Sequence, residues 1–241
     1  MPKAVTGEIT AHPIPGGRLK RVNYRVKLLV FLLCALVVVF AFNVGYSALN
    51  TISRLDVVEA ARDQWQRPSD VVQALGLKPG NVVVDLGCGS GYFTLKLSSP
   101  VGSSGLVIAE DIRRLPLVFL WSRTLLKRNV TIVHGEPDDP HMPIRVNAVL
   151  IANTYHELTN PQSILAHVSQ SLIAGGRVVV VDRAPNPENV GITETGEHEI
   201  SAERVETDLQ RAKFEIVSRQ DHFIESDPDH EIWWLIVARN P

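Results

Sequence analysis

A chain of 241 residues has room for one α/β domain beside a tail and an apolar segment, and its two cysteines, Cys34 and Cys88, exclude a disulfide framework. The formal net charge of −2 hides an uneven split. Residues 1–27 carry six basic residues against Glu8, leaving 18 basic and 25 acidic residues in the remainder. Without a basic stripe, that remainder is a poor ligand for nucleic-acid phosphates, so the expected partner is a small molecule, a lipid-like compound or a protein side chain.

In chain order, residues 1–27 combine Pro2, Pro13, Pro15, Gly16 and Gly17 with little apolar periodicity and read as a disordered basic tail. Residues 28–49 follow without a single charge, long enough to cross a hydrocarbon core about 30 Å thick, and read as one transmembrane helix. A cleaved signal peptide is the alternative, with Leu28 to Phe42 as its apolar region and Gly45-Tyr46-Ser47 as the cleavage site. Residues 50–68 read as a linker or helix, and 69–241 as the domain.

The run Asn81-Val-Val-Val-Asp-Leu-Gly-Cys-Gly-Ser-Gly-Tyr92 carries the chemistry. Val82 to Val84 form a buried strand, and Gly87, Gly89 and Gly91 let the backbone turn and approach a ligand that a Cβ would repel. A helix starting near Tyr92 would aim free N–H groups at that ligand. A dinucleotide fingerprint requires G-x-G-x-x-G, and here the third glycine comes one residue early.

Leu106 to Ala109 read as the second strand, ending in Glu110-Asp111, and a helix starts near Arg113. An acid about twenty residues past a glycine loop can hold ribose hydroxyls or cap the following helix. Val130 to Val133 form the third strand, before a Pro- and Asp-rich loop over 134–143. Ala148 to Ala152 form the fourth, with Asn153-Thr-Tyr-His-Glu157 at its carboxyl end, where ligands of open α/β sheets sit. Asn160-Pro161 caps a helix to about Leu172, Gly175-Gly176 ends it, and Arg177 to Asp182 is strand five. Ser201 caps a last helix through Ala212, ahead of strands over 214–219 and 232–238.

The order of elements, D-x-G-x-G-x-G from Asp85 to Gly91, and the strand ending "VIAEDI" resemble the class I S-adenosylmethionine-dependent methyltransferases from about Trp65 onward. Two departures stand out: Asn147 where members carry Asp, and Leu172-Ile-Ala-Gly-Gly176 for "LKPGG". The resemblance implies a Rossmann-like, doubly wound, seven-stranded sheet with helices on both faces, behind the transmembrane helix. It implies S-adenosylmethionine as cofactor, bound by Asp85, Gly87, Gly89, Gly91, Asp111 and Asn153. An acid after strand three would read the adenine, with Asp138 favoured over Glu136 and Asp139.

Methyl transfer from a sulfonium mainly requires orientation and exclusion of water. If a catalytic base exists it is His156, and the methyl acceptor is unidentified. The histidines lack compact ligand spacing, so no metal is expected. Cys88 reads as a loop residue and His198 as part of a segment, 184–200, over the site. Two rivals remain: a nucleotide-dependent oxidoreductase on the same sheet, and a non-catalytic binding module. The positive-inside rule would put the tail in the cytoplasm and the domain outside, whereas a cytosolic cofactor requires the reverse. The expectation is a single-pass membrane protein with 50–241 in the cytoplasm.

Overall fold

The computed structural model describes residues 23–142, 145–185, 198–225, 228 and 231–241. The proposed tail therefore lies mostly outside the described residues, as does 186–197 of the segment thought to cover the site. The chain divides into two units at Asn50/Thr51. A single helix, α1 (Tyr24–Arg62), carries the apolar stretch; it is long and apolar enough to cross a membrane, by length and composition.

The second unit is a seven-stranded mixed sheet in the order β3-β2-β1-β4-β5-β7-β6. Its strands are β1 (Val82–Leu86), β2 (Leu106–Asp111), β3 (Val130–His134), β4 (Val146–Ala152), β5 (Leu172–Arg183), β6 (Glu215–Ile224) and β7 (Trp233–Arg239). The first five are parallel, and β7 pairs antiparallel with both β5 and β6. Strand order reverses between β1 and β4, so their carboxyl ends part and leave a crevice there.

The near-continuous apolar strands are buried on both faces. On one face Val84, Val149, Ile151 and Val180 pack against α5 (Pro161–Ser171) and α6 (Ala202–Arg211). On the other, Val83, Leu150 and Val179 pack against α2 (Pro68–Ala74) and α3 (Tyr92–Val101). Helix α4 (Arg114–Thr124) covers Ala109 with Leu117 and Leu120. Asn160 and Ser201 cap α5 and α6 through their side chains, as the sequence indicates.

Two boundaries differ from the sequence reading. Strand β5 begins at Leu172, five residues early, because Gly175 takes φ +75° and the register shifts between Val146 and Ala148 instead of a turn ending the helix. Residues 51–68 are part of the domain: Arg123 donates to Asp56 (3.1 Å) and Glu59 (2.8 Å), Tyr92 donates to Asp63 (2.8 Å), and Trp65 packs on Trp233. Asn147, the departure from the family's aspartate, has a backbone role. Its amide oxygen accepts the Val82 N–H at 2.8 Å, a bond a carboxylate could equally make.

Candidate active site

A cleft of about 180 Å³ opens at the carboxyl ends of the parallel strands, lined among others by Gly87, Asp111, Glu136, Thr154, Glu157 and Ile164. The glycine loop fits there for three separate steric reasons. A Cβ on Gly87 would run into the Thr154 side chain, and one on Gly91 into Leu120 of α4. On Gly89 it would meet nothing within 4 Å, so this is the position where the backbone itself faces open space for a ligand. The Gly89 N–H is held by the Asp111 carboxylate at 2.9 Å.

Asp111 lines the cleft yet is only 2% exposed. Besides Gly89 it accepts the Arg113 backbone N–H at 2.7 Å, so it also fixes the entry to α4. Asp85 lies deeper, accepting the Thr94 hydroxyl at 2.6 Å and tying the loop to α3. Asn153 has φ +53°, and its side-chain oxygen is buried without a hydrogen-bond partner. The open cradle at Gly89 and this orphaned acceptor fit a polar cofactor with N–H or O–H donors.

Asp138 sits elsewhere. A tight turn joins Glu136 and Asp139 through two backbone bonds (2.8 and 3.1 Å), leaving Asp138 exposed at its tip, with its carbonyl accepting from Ser163. Of the three acids weighed for the adenine, Glu136 is the one on the cleft wall.

His156 lies in a single 3₁₀ turn (Tyr155–Glu157) after β4. Its Nδ1 is 2.8 Å from Asp182, which is fully buried at the end of β5 and also accepts the His156 backbone N–H at 3.2 Å. Donation of Nδ1–H to this carboxylate leaves Nε2 as the free acceptor. The sequence marked Asp182 only as a strand end; an acid closing a four-valine run at a carboxyl edge was the available signal. The structure also gathers His156, Glu157 and His198, whose ligand atoms lie within 4.8 Å of one another, a convergence that spacing alone could not reveal.

Electrostatically the crevice floor is acidic. Burial pushes Asp85 up to about 6 and Glu110 up to about 8, with the nearby acids adding repulsion and, for Glu110, the Gly87 N–H partly opposing. Burial beside these acids also raises the Cys88 thiol far above its ordinary range, which keeps it protonated and inert. Because the folded pKa of Glu110 is raised, its contribution to stability is full below about 4.5 and is lost as pH rises through about 8. Thermal melts should therefore show stability falling over that window. Glu110→Gln should remove much of the fall, a difference on the order of a few kcal/mol at the alkaline end; parallel curves for the two proteins would refute the assignment.

Comparison with known proteins agrees with this geometry. Residues 84–180 match a family described as a methyltransferase domain. A ubiquinone/menaquinone biosynthesis C-methyltransferase of Ectopseudomonas mendocina is 30% identical over 122 residues, covering 49% of this chain and 47% of that protein. A demethylmenaquinone methyltransferase of Staphylococcus aureus is 30% identical over 140 residues, 57% of this chain and 55% of its own. The chain thus spans about half the length of these curated relatives. Among solved structures, a SAM-dependent methyltransferase from Aquifex aeolicus aligns with TM-score 0.60 at 22% identity, over 72% of this chain and 89% of that one. The [4+2]-cyclase SpnF aligns with TM-score 0.63 at 15% identity, over 73% and 80%. The structural likenesses establish the fold alone; the family match, over residues 84–180, identifies that stretch as a methyltransferase domain, with the D-x-G-x-G-x-G loop at its strand-order reversal.

Proposed function

We propose that residues 51–241 transfer a methyl group from S-adenosylmethionine to a lipid-like acceptor with an ionisable ring hydroxyl, with His156 as the base. The His156–Asp182 pair beside the cleft carries this reading. When bound, the cofactor supplies an activated methyl group on a sulfonium sulfur. Gly89 and Asp111 would hold its nucleoside, and Asn153 would accept from its polar end. Apolar wall residues such as Leu158 and Ile164 would orient the acceptor and exclude water. Nε2 of His156 would take the proton the acceptor loses as its bond to the methyl carbon forms and the methyl–sulfur bond breaks to leave S-adenosylhomocysteine, and Asp182 would stabilise the resulting imidazolium. The apolar wall, the apolar span of α1 and the quinone acceptors in the relatives' names all favour a lipid-like substrate.

The gathering of His156, Glu157 and His198 favours a second reading, in which a divalent metal held there polarises an acceptor oxygen. A chelator separates the two: turnover unaffected by 1,10-phenanthroline supports the base, and turnover lost with it and restored by zinc supports the metal.

SpnF, a [4+2]-cyclase with this fold, makes cofactor binding the first experiment. Gly89→Val should abolish S-adenosylhomocysteine binding in calorimetry while the sheet stays folded, because at φ +54° a branched side chain both strains the loop and fills the cradle. Unchanged affinity would remove the cofactor site from this loop. With reduced demethylmenaquinone as the first acceptor tried, His156→Gln should lower turnover by about 100-fold and leave cofactor affinity intact. A change under about threefold would make His156 a pocket-lining residue.

The same cofactor requirement bears on localisation. Residues 28–49 would act as a single-pass anchor with the domain in the cytoplasm, overriding the charge bias of the N-terminal flank. A fluorescent protein fused after Pro241 should then mature, and an alkaline phosphatase there should stay inactive; the reverse pattern would put the domain outside and deprive it of its cofactor.

A further inference from the structure

Ten large hydrophobic residues among the described residues 51–241 are exposed, and six of them, Ile112, Leu115, Val118, Trp121, Leu125 and Leu126, lie within fifteen positions on and around α4. Two more, Val57 and Val58, sit on the stretch of α1 that Arg123 of α4 holds through Asp56 and Glu59. Leu126 is 97% exposed and Trp121 59%. Concentration on this scale marks an interaction surface, since singly scattered apolar residues would need no explanation.

Charge identifies the occupant. From Ile112 to Gly135 the chain has five basic residues and no acid, within a remainder that is otherwise acid-rich. Arg113 and Arg123 are paired, but Arg114, Lys127 and Arg128 are exposed at the two ends of the helix. Leu, Val and Trp side chains between basic ends are the composition of a helix lying in a membrane interface, where the apolar face enters the acyl boundary and the cations meet anionic headgroups. Only six residues of chain separate Leu49, the end of the apolar span, from Asp56, which takes a hydrogen bond from α4. The cleft also begins here: Ile112 and Arg113 line it, and a shallow groove formed by Arg114, Leu117, Val118 and Trp121 with His134 adjoins them.

We infer that the outer face of α4, with the turn that follows it, docks on an anionic lipid bilayer and opens the cleft toward it. The inference deepens the reading of a lipid-like acceptor, which would then reach His156 from the bilayer without crossing water.

The test uses the full chain reconstituted in vesicles of brominated phosphatidylcholine and phosphatidylglycerol, with tryptophan quenching as the readout. Trp65, Trp233 and Trp234 are at least partly buried in the domain, so Trp121→Phe should remove more than half of the bromine-quenchable emission. Replacing phosphatidylglycerol by phosphatidylcholine should weaken quenching of Trp121 in the wild-type protein. Equal quenching of wild type and Trp121→Phe would overturn the proposal. So would cross-linking of Leu115→Cys between copies with Trp121 unquenched, which would make the face a self-association surface. Carbonate extraction, run in parallel, reports on residues 28–49 alone: a chain that resists extraction while Trp121 stays unquenched sinks the docking face and leaves the anchor standing.

Discussion

The contact between Gly87 and Thr154 is the constraint on which the site depends. It joins the ends of β1 and β4, the two strands between which the order reverses, and it leaves no space for a Cβ on Gly87. Any side chain there would push the glycine loop away from β4 and from the turn after it, which carries His156. Gly91 imposes a similar condition on α4 through Leu120. The loop is thus pinned between its neighbours on both sides, and only Gly89, in the middle, is left facing open space. Close approach at two glycines is what makes the third available for a ligand.

Acidity at the crevice floor follows from the same packing. Asp85, Glu110 and Asp111 crowd at the ends of adjacent strands, where burial penalises their charged forms. Asp111 offsets this with bonds from Gly89 and Arg113, and Asp85 with one from Thr94. Glu110 is boxed in by Gly135, whose missing side chain is what gives its carboxylate room. With Glu110 held protonated by burial and Asp111 paired with Arg113, the floor carries less negative charge than its three acids would give in water. The cost in stability is local, and the apolar strands behind the site offset it.

Much of this was legible because local signals and global fold agree. Valine runs, glycine turns and the Asn160 and Ser201 caps each specify one structure, and those elements fell within a few residues of expectation. What escaped the sequence depended on distant contacts. Asp182 and His156 are 26 positions apart and meet only because β4 and β5 are neighbours. Asp138 is the acid the sequence favours over Glu136 and Asp139, and only the turn between Glu136 and Asp139 shows that it sits exposed at the tip while Glu136 lines the cleft. Gly175-Gly176 resembled a helix stop, but the bulge against β4 absorbed it into the strand. Residues 50–68 read as no more than a linker or helix because their ties to Tyr92, Arg123 and Trp233 are all long-range.

Helix α4 raises a different question, because its sequence is apolar nearly all round. Leu117, Leu120 and Thr124 satisfy the sheet, and a helix on a water-facing surface would carry polar residues elsewhere, as α6 does. In α4 the outward positions are Leu115, Val118 and Trp121. Folding does not require them to be apolar, since no packing partner covers them among the described residues, and leaving them in water promotes aggregation. Such side chains are retained where a second apolar environment exists. Basic residues at both ends of the helix, absence of acid across it and a cleft that opens beside it are together met by a lipid interface. On that argument a cleft mouth held at a bilayer would select acceptors by where it opens as well as by the residues that line it.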